Sequence, residues 1–426
     1  MVLTLVATML FFLILGFPMF MSMLVAPLIV MLLYIPQLDP ALLTQQLIAG
    51  VQPFVLLAVP MFIFAADLMC VGQTANRLLD FVEAFVGHIR GGLAITTSAA
   101  CAFFGSISGS CQATVVAIGK PMRQRMLQAG YHDSNVMALI INAAELALLI
   151  PPSIAMLMYA VVTGSSVSEL FIAGIGPGLL ILLFLAVYNW FMAKRENIPV
   201  IPKASWRERF RVTKRALYTF GFPLIILGGI YTGFFSPTEA AAVSVLYALI
   251  LELFIYKSIT VKDIPRIALS TGLVTSAVFI LVAGGNAFSW VITFARIPQL
   301  LTDNLLGSNP SALTVLFAVT ISYFIACMFV DSIVAILVLT PIFFPLAMQA
   351  GIDPIHLGII ITLQAAIGAS TPPFGCDIFT AVAVFERPYF EVIRKAPPYI
   401  AIFVLGNILL IFFPQIALFL RDVVMR

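Results

Sequence analysis

Two proline pairs, Pro151-Pro152 and Pro372-Pro373, stand at matching points in the two halves of this 426-residue chain. Pro151 follows Gly130 of an Ala129-Gly130 pair by 21 residues, and Pro372 follows Gly351 of an Ala350-Gly351 pair by 21 residues. Upstream, Pro121 answers to Pro341. Each copy also sets a polar cluster in apolar sequence, GSISGS from Gly105 to Ser110 and FVDS from Phe329 to Ser332. Proline lacks a backbone donor and its ring clashes with the preceding turn, so each pair breaks a helix. A duplicated unit of broken helix and polar cluster, inside an apolar chain, is the sequence form of a secondary-transporter core.

The apolar setting is not in doubt. Hydrophobic residues make up 62% of the chain and charged residues 10%, with a mean hydropathy of +1.11, which excludes an ordinary soluble domain. A spanning helix needs about 20 apolar residues, and such runs are expected at 2–17, 19–36, 53–71, 133–163, 168–193, 216–234, 237–256, 267–288, 356–385 and 398–420. Two further stretches, 90–124 and 311–347, are too long for one crossing and have polar centres. Each suits a re-entrant hairpin that enters the bilayer, turns at its polar tip and leaves on the same side. The opening run from Met1 to Phe17 has neither a basic flank nor a small-residue cleavage site, and reads as a retained helix.

Other chemistries find no support. The five cysteines show no C-x-x-C spacing and read as small buried hydrophobes. His88, His132 and His356 lie at predicted membrane edges without metal-ligand spacing. No phosphate loop of the Walker type is present, nucleic acid is not an expected partner, and no enzyme signature is found.

Basic residues set the orientation. The longest polar loop, Lys194 to Arg215, carries eight Lys and Arg residues and is assigned to the cytoplasm. Counting crossings from it returns the chain to the cytoplasm at Lys257, Lys262 and Arg266, and again at Arg387, Arg394 and Lys395. The base of the first hairpin, with Arg90, Lys120, Arg123 and Arg125, falls on the same side, whereas Pro345 to His356 at the second hairpin has no Lys or Arg. The two halves are therefore expected to be inverted copies. A simple bundle of twelve or more spans is the alternative, and it leaves the polar clusters at mid-membrane unexplained.

The breaks and tips carry the chemistry. Unwinding at Pro151-Pro152 frees carbonyls that need a partner in lipid, and sodium is a natural one, held by half-helix ends and unwound carbonyls. Ser106, Ser108 and Ser110 add hydroxyls at the first tip. At the second, Asp331 and Ser332 face Ser370 and Thr371 beside Pro372-Pro373, with Asp377 just beyond. Kinks filled by neighbouring side chains are the structural alternative. Among other intramembrane polar residues, Asn142 and Glu145 read as site support or as helix-to-helix hydrogen bonding, and Asp67 as functional or interfacial. Glu239 in FFSPTEAAA reads as part of a helix N-cap at Ser236 or Thr238.

At these residues the chain resembles the large membrane subunit of a tripartite ATP-independent periplasmic (TRAP) transporter. The motifs that carry the resemblance are GSISGSCQATVVAIG (105–119), LIPPSIAMLMYAVVTGSSVSELFIAGIGPG (149–178), FFSPTEAAAV (234–243) and GASTPPFGCDIF (368–379). The resemblance implies an all-α polytopic fold of inverted repeats, an elevator-type transporter with two re-entrant hairpins and two broken helices. Its divisions would be 1–89 (scaffold and arm), 90–165 (first hairpin and broken helix), 166–310 (scaffold, cytoplasmic loop and arm), 311–386 (second hairpin and broken helix) and 387–426 (final helix). It implies sodium-coupled import of an organic acid across the bacterial inner membrane. The implied partners are a small four-helix membrane subunit and a periplasmic substrate-binding protein.

By position, the family's sodium sites fall on Ser106, Ser108, Ile150, Pro151 and Ser153 for one ion. For the other they fall on Asp331, Ser332, Gly368, Ser370, Thr371 and Pro372. Substrate contacts are expected at Ser108, Ser110, Asp331, Thr371 and Asp377. The segments SCQAT (110–114) and NAAELALL (142–149) depart from the common pattern and point to sialic acid as substrate, with a C4-dicarboxylate next. A proton-coupled symporter using Glu145 or Asp377, and a channel or assembly subunit, are the competing readings.

Overall fold

The computed structural model describes residues 1–298, 300, 307 and 310–425, and among them the ordered elements are all helical. Among the described residues, five helices are long and apolar enough to cross a membrane, or up to seven if each of two bent pairs is one span. Shorter apolar helices supply further expected crossings, including Val2–Ile14 and Met19–Tyr34, whereas the expected crossing at 216–234 falls in the helical run from Trp206 to Tyr231, which is not among the helices apolar enough to span.

Two packed groups of helices make up the molecule. In the first, Ala58–Val71 packs against Pro237–Ile250 and Ile264–Phe294, and the last of these also packs against Met19–Tyr34 and Ala41–Gly50. These helices turn large side chains outward, among them Leu246, Leu269, Leu273 and Ile280. Such residues suit lipid or a partner subunit far better than water. The second group contains the two hairpins and the two broken spans. The first half of each broken span has no exposed face: residues 135–149 and 355–371 are buried throughout. A helix apolar on all sides belongs inside a large core, and here the core is that of the second group.

A pair of helices occupies each of the two stretches expected to form hairpins. The first pairs Gly92–Ser108 with a helix that runs from Cys111 through a π-turn at Val115–Gly119 to Gln128. The second pairs Ala312–Cys327 with Ser332–Gln349. Each proline pair then breaks its span. Asp133–Leu149 meets Ile154–Thr163 at 41°, and Pro354–Ala369 is separated from Cys376–Phe385 by residues 370–375.

Several expectations need correction. Val167–Arg195, expected in the scaffold division 166–310, instead packs against Gly92–Ser108, Pro354–Ala369 and Pro397–Phe412, so it belongs with the hairpins. Its inner face is small, with Gly174 against the Leu149 carbonyl and Gly178 against Ile150, which permits that close approach. The final helix, Pro397–Phe412, also joins this group, and it bends by 62° into Gln415–Val424 where one straight span was expected. The long basic loop is shorter than expected, because a helix begins at Trp206, capped by Ser205, whose hydroxyl accepts from the Glu208 amide at 3.2 Å. His356 is buried within the helix bundle, with Nε2 2.9 Å from the Leu410 carbonyl oxygen. The arm expected near the end of 166–310 lies partly outside the described residues.

Local capping follows the sequence closely. The Ser236 hydroxyl accepts from the Glu239 amide while the Glu239 carboxylate accepts from the Ser236 amide at 2.7 Å, a complete capping box. In the loop before Ile264–Phe294, the Thr260 amide and hydroxyl donate to Asp263 and hold its carboxyl below the usual carboxylate range. The first arm, Thr74–Val86, is tied at its start by buried Glu252, which accepts from the Thr74 hydroxyl at 2.5 Å and from Ser258. Its far end is held to the first hairpin by Arg125, paired with Asp80 at 2.9 Å and Glu83 at 2.7 Å. The arm thus bridges the two groups.

The hairpin sits tightly on the broken span at Gly105, where an added Cβ would lie 2.5 Å from Ala147 Cα. Gly105→Val is therefore expected to lower stability by about 1–3 kcal/mol, the usual cost of overpacking. Gly272→Ala, where a Cβ meets nothing within 4 Å, is expected to cost nothing. Melting of the purified protein in detergent compares the two.

Candidate functional site

Each hairpin tip closes onto a helix break. At the first, Gly109 turns with φ +61° and its carbonyl accepts from the Ile154 amide at 3.4 Å. A side chain at Gly109 would lie 2.7 Å from the Pro152 carbonyl oxygen, so only glycine permits the approach. At the second, Ser332 donates to the Ala365 carbonyl at 3.1 Å and the Phe374 amide donates to the Met328 carbonyl at 3.1 Å. Gly368 there abuts Cys327 so closely that a Cβ has no room. Both proline pairs contain a cis peptide bond.

The hydroxyls of these two nests share one arrangement. Ser106 donates to the Phe103 carbonyl at 2.6 Å, and Ser108 to the Ser110 carbonyl at 3.3 Å. Thr371 donates to the Ile367 carbonyl at 2.5 Å and Ser370 to the same carbonyl at 3.2 Å. Directing the hydrogen at a carbonyl leaves each hydroxyl oxygen with lone pairs to offer. Ser153 caps Ile154–Thr163, accepting from the Met156 amide at 3.3 Å, and Ile150 ends the preceding helix in an extended conformation beside Pro151. The donor set at both breaks is oxygen throughout, which suits a hard cation.

Between the two tips and the first helix group lies a cavity of about 430 Å³. The tips contribute Ser108, Ser110, Gln112, Asp331 and Ser332; Ala58–Val71 contributes Asp67, and Ile264–Phe294 contributes apolar wall such as Val278 and Leu281. Of the expected substrate contacts, Ser108, Ser110 and Asp331 line this cavity. Thr371 and Asp377 do not: Thr371 turns back onto its own helix, and Asp377 is fully buried behind the tip. Asp331 caps Ser332–Gln349, accepting from the Ile333 amide at 2.9 Å. Asp67 accepts from the Thr271 hydroxyl at 2.6 Å across the two wall helices.

Two wall residues were not foreseen as contacts. Asp67 is legible in the sequence only as an acidic residue in an apolar span, a signal that does not distinguish a cavity wall from a membrane edge. Gln112 is marked in the sequence only as part of the SCQAT departure at 110–114; its amide donates to Cys376 Sγ at 3.2 Å and joins the first tip to the second broken span. Asn142 donates to the Ala138 carbonyl at 2.8 Å within its own helix, not to a neighbouring one. The lining residues include two carboxylates, Asp67 and Asp331, and no Lys, Arg or His among the described residues.

The family model described as "Tripartite ATP-independent periplasmic transporter, DctM component" matches residues 6–416. The ectoine TRAP transporter large permease protein of Halomonas elongata is 56% identical over 423 residues, 99% of both chains. The ectoine/5-hydroxyectoine large permease of Ruegeria pomeroyi is 56% identical over 420 residues, 98% of both. The sialic acid large permease of Vibrio cholerae is 34% identical, over 89% of this chain and 88% of its own. The leaning of 110–114 and 142–149 toward the sialic-acid branch is thus corrected, since the chain is far more similar to the ectoine permeases. The solved YdaH transporter of Alcanivorax borkumensis shares the fold, with a TM-score of 0.62 at 16% identity over 88% of this chain and 87% of that one. A family match over nearly the whole length, on a multi-pass helical frame with paired tips and breaks, makes this chain a member of the TRAP transporter family, of its DctM-type large permease component.

Proposed function

We propose that the chain is the membrane permease of a sodium-coupled importer for ectoine-type solutes, working in the bacterial inner membrane. It would act with a small membrane subunit and a substrate-binding protein. The observation that carries the substrate is the charge of the cavity wall, which has two carboxylates and, among the described residues, no cationic side chain. A dicarboxylate or sialic acid would bring further negative charge against Asp67 and Asp331 without a counter-charge, which is costly in a partly desolvated site. Ectoine is a cyclic zwitterion. Its delocalised amidinium suits a carboxylate, its carboxylate suits the N-terminal end of Ser332–Gln349, and its methylene and methyl groups suit walls such as Ile63, Val278 and Leu281.

Sodium is the coupling ion on this reading, held by Ser106, Ser108, Ile150, Pro151 and Ser153 at one break and by Asp331, Ser332, Gly368, Ser370, Thr371 and Pro372 at the other. Support comes from the all-oxygen donor sets and from hydroxyls whose hydrogens already face carbonyls. Because each nest joins a tip to a break, ion binding would stiffen the tip that also lines the cavity. Substrate then meets an ordered wall, and the two binding events are coupled through shared residues. The hairpin group, with Val167–Arg195 and Pro397–Phe412, would move as a body against the first group. The cavity at the boundary between the groups favours that motion.

Uptake of labelled solutes into proteoliposomes holding both membrane subunits, with the binding protein supplied outside, tests the reading. Ectoine uptake is expected to saturate and to need an inward sodium gradient. Equal uptake of succinate or sialic acid would overturn the substrate, and full uptake without sodium would overturn the coupling. Asp67→Asn is expected to raise the half-saturating ectoine concentration about tenfold or more, since a hydrogen bond to a charged group contributes about 1.5–3 kcal/mol. Ser108→Ala is expected to raise the sodium requirement several-fold with assembly intact, read from sodium dependence at fixed ectoine.

A further inference from the structure

A second cavity, of about 520 Å³, lies at the root of the first arm and shares no lining residue with the cavity between the tips. Gln73, Asn76, Arg77 and Asp80, at the start of the arm, line one wall, and Val212 and Arg215 of Trp206–Pro223 line the other. Arg77 is fixed in place: Nη1 donates to the Arg215 carbonyl at 3.2 Å, Nη2 donates to Gln73 Oε1 at 2.9 Å, and the guanidinium lies 3.7 Å from the centre of the Tyr256 ring. Its Nε is buried without a hydrogen-bond partner. Neither Arg77 nor Arg215 enters an ion pair among the described residues. The acids nearby are already engaged. Asp80 is paired with Arg125 at 2.9 Å, and buried Glu252 accepts from the Gln73 amide at 3.4 Å, from the Thr74 hydroxyl at 2.5 Å and from Ser258.

Two guanidiniums without a carboxylate, one of them with a buried and unmet donor, favour an anion in the polar pocket between them. Phosphate matches best, because the planar fork of guanidinium donors fits its oxygens. The surroundings select which phosphate. The helix that carries Arg215 is basic over its first turns, with Arg207, Arg211 and Lys214, and this stretch is assigned to the cytoplasmic side. Trp206 and Phe210 in the same turns are exposed, by 76% and 74%. Further along the helical run Leu217, Tyr218 and Leu224 are exposed as well. A basic helix that turns aromatic and apolar side chains outward belongs at a bilayer surface, and basic pockets between helices on the cytoplasmic side hold anionic headgroups. A soluble phosphate makes no use of the apolar strip beside the pocket, whereas an acyl chain covers it.

We propose that this cavity is a site for the phosphate of an anionic phospholipid of the inner leaflet, with Arg77 and Arg215 as its cationic wall, Gln73 and Asn76 as neutral donors, and the acyl chains along Leu217 and Leu224. Gln73 Oε1 is taken by Arg77, which leaves the Nε2 hydrogens free to face the phosphate. Occupied, the site ties the start of the arm to Trp206–Pro223, beside the clasp that Glu252 makes with Thr74. The same arm helix carries Asp80 and Glu83, which hold the first hairpin through Arg125. Headgroup and hairpin are thus attached to one helix. The site depends neither on the choice of solute nor on the coupling ion.

Melting of the purified complex of large and small subunits in mixed micelles tests it, followed as phosphatidylglycerol replaces phosphatidylcholine at constant ionic strength. The wild type is expected to melt higher as phosphatidylglycerol rises, and to saturate. Arg215→Gln removes a charge that makes no ion pair among the described residues, and is expected to raise the half-saturating content of phosphatidylglycerol about fivefold or more. Lys214→Gln, one residue away and outside the lining, is expected to leave it unchanged. Should Arg215→Gln fail to assemble, Asn76→Asp, which sets a negative charge on the opposite wall, is expected to raise it by a similar factor. Equal stabilisation by phosphatidylcholine overturns the proposal, as does a wild type that responds to neither lipid. A shift as large in Lys214→Gln as in Arg215→Gln identifies diffuse surface charge and overturns the site. Full stabilisation by inorganic phosphate in phosphatidylcholine micelles identifies a free anion and overturns the lipid.

Discussion

Backbone groups freed by the two proline pairs have no water to turn to, and the rest of the structure is arranged around that constraint. Each break is met by a hairpin tip. Gly109 brings the first tip against Pro152 and Ile154, and Met328 and Ser332 bring the second against Phe374 and Ala365. The tips are short and polar because they must reach the breaks and satisfy them. The helix halves that lead into the breaks, 135–149 and 355–371, are buried throughout, because a break in a lipid-facing helix would leave its carbonyls in hydrocarbon.

The same arrangement places the cavity. Once the tips are fixed to the breaks, their outer residues Ser108, Ser110 and Asp331 face the first helix group, where Asp67 and the apolar side of Ile264–Phe294 complete the wall. The oxygen-rich nests and the cavity therefore share residues without coinciding. Ser108, Asp331 and Ser332 belong to both, whereas Thr371 belongs to a nest only. Glu145 and Asp377, one from each broken span, lie deeper still as a buried pair behind Cys111. Three layers of chemistry, from cavity wall to nest to buried pair, follow from docking two tips onto two breaks.

Local features are legible in the sequence to the extent that their cause is local. Proline at 151 and 372, glycine at the first tip and the Ser236/Glu239 capping box act through their own backbone, and each forms where the sequence places it. Helix allegiance is not legible in this way. Val167–Arg195 has the apolar composition of a scaffold span, and only its packing at Gly174 and Gly178 assigns it to the hairpin group. The basic stretch after Ser205 looks like irregular chain by its charge, but Arg and Lys are good helix formers. Substrate choice is hidden for a related reason: the departures at 110–114 and 142–149 mark that the site differs, not toward which solute.

The sequence by itself determined a multi-pass helical protein with two broken spans, two polar-tipped hairpins and an internal repeat. Those properties depend on runs of apolar residues and on proline and glycine, all of which act over a few turns of chain. Only the tertiary structure decided that Asp67 joins Asp331 on one wall, that Gln112 reaches Cys376, and that Glu145 meets Asp377. These pairs are far apart in sequence. Their meeting is set by how whole helices pack, and no single residue carries a mark of the partner it will face.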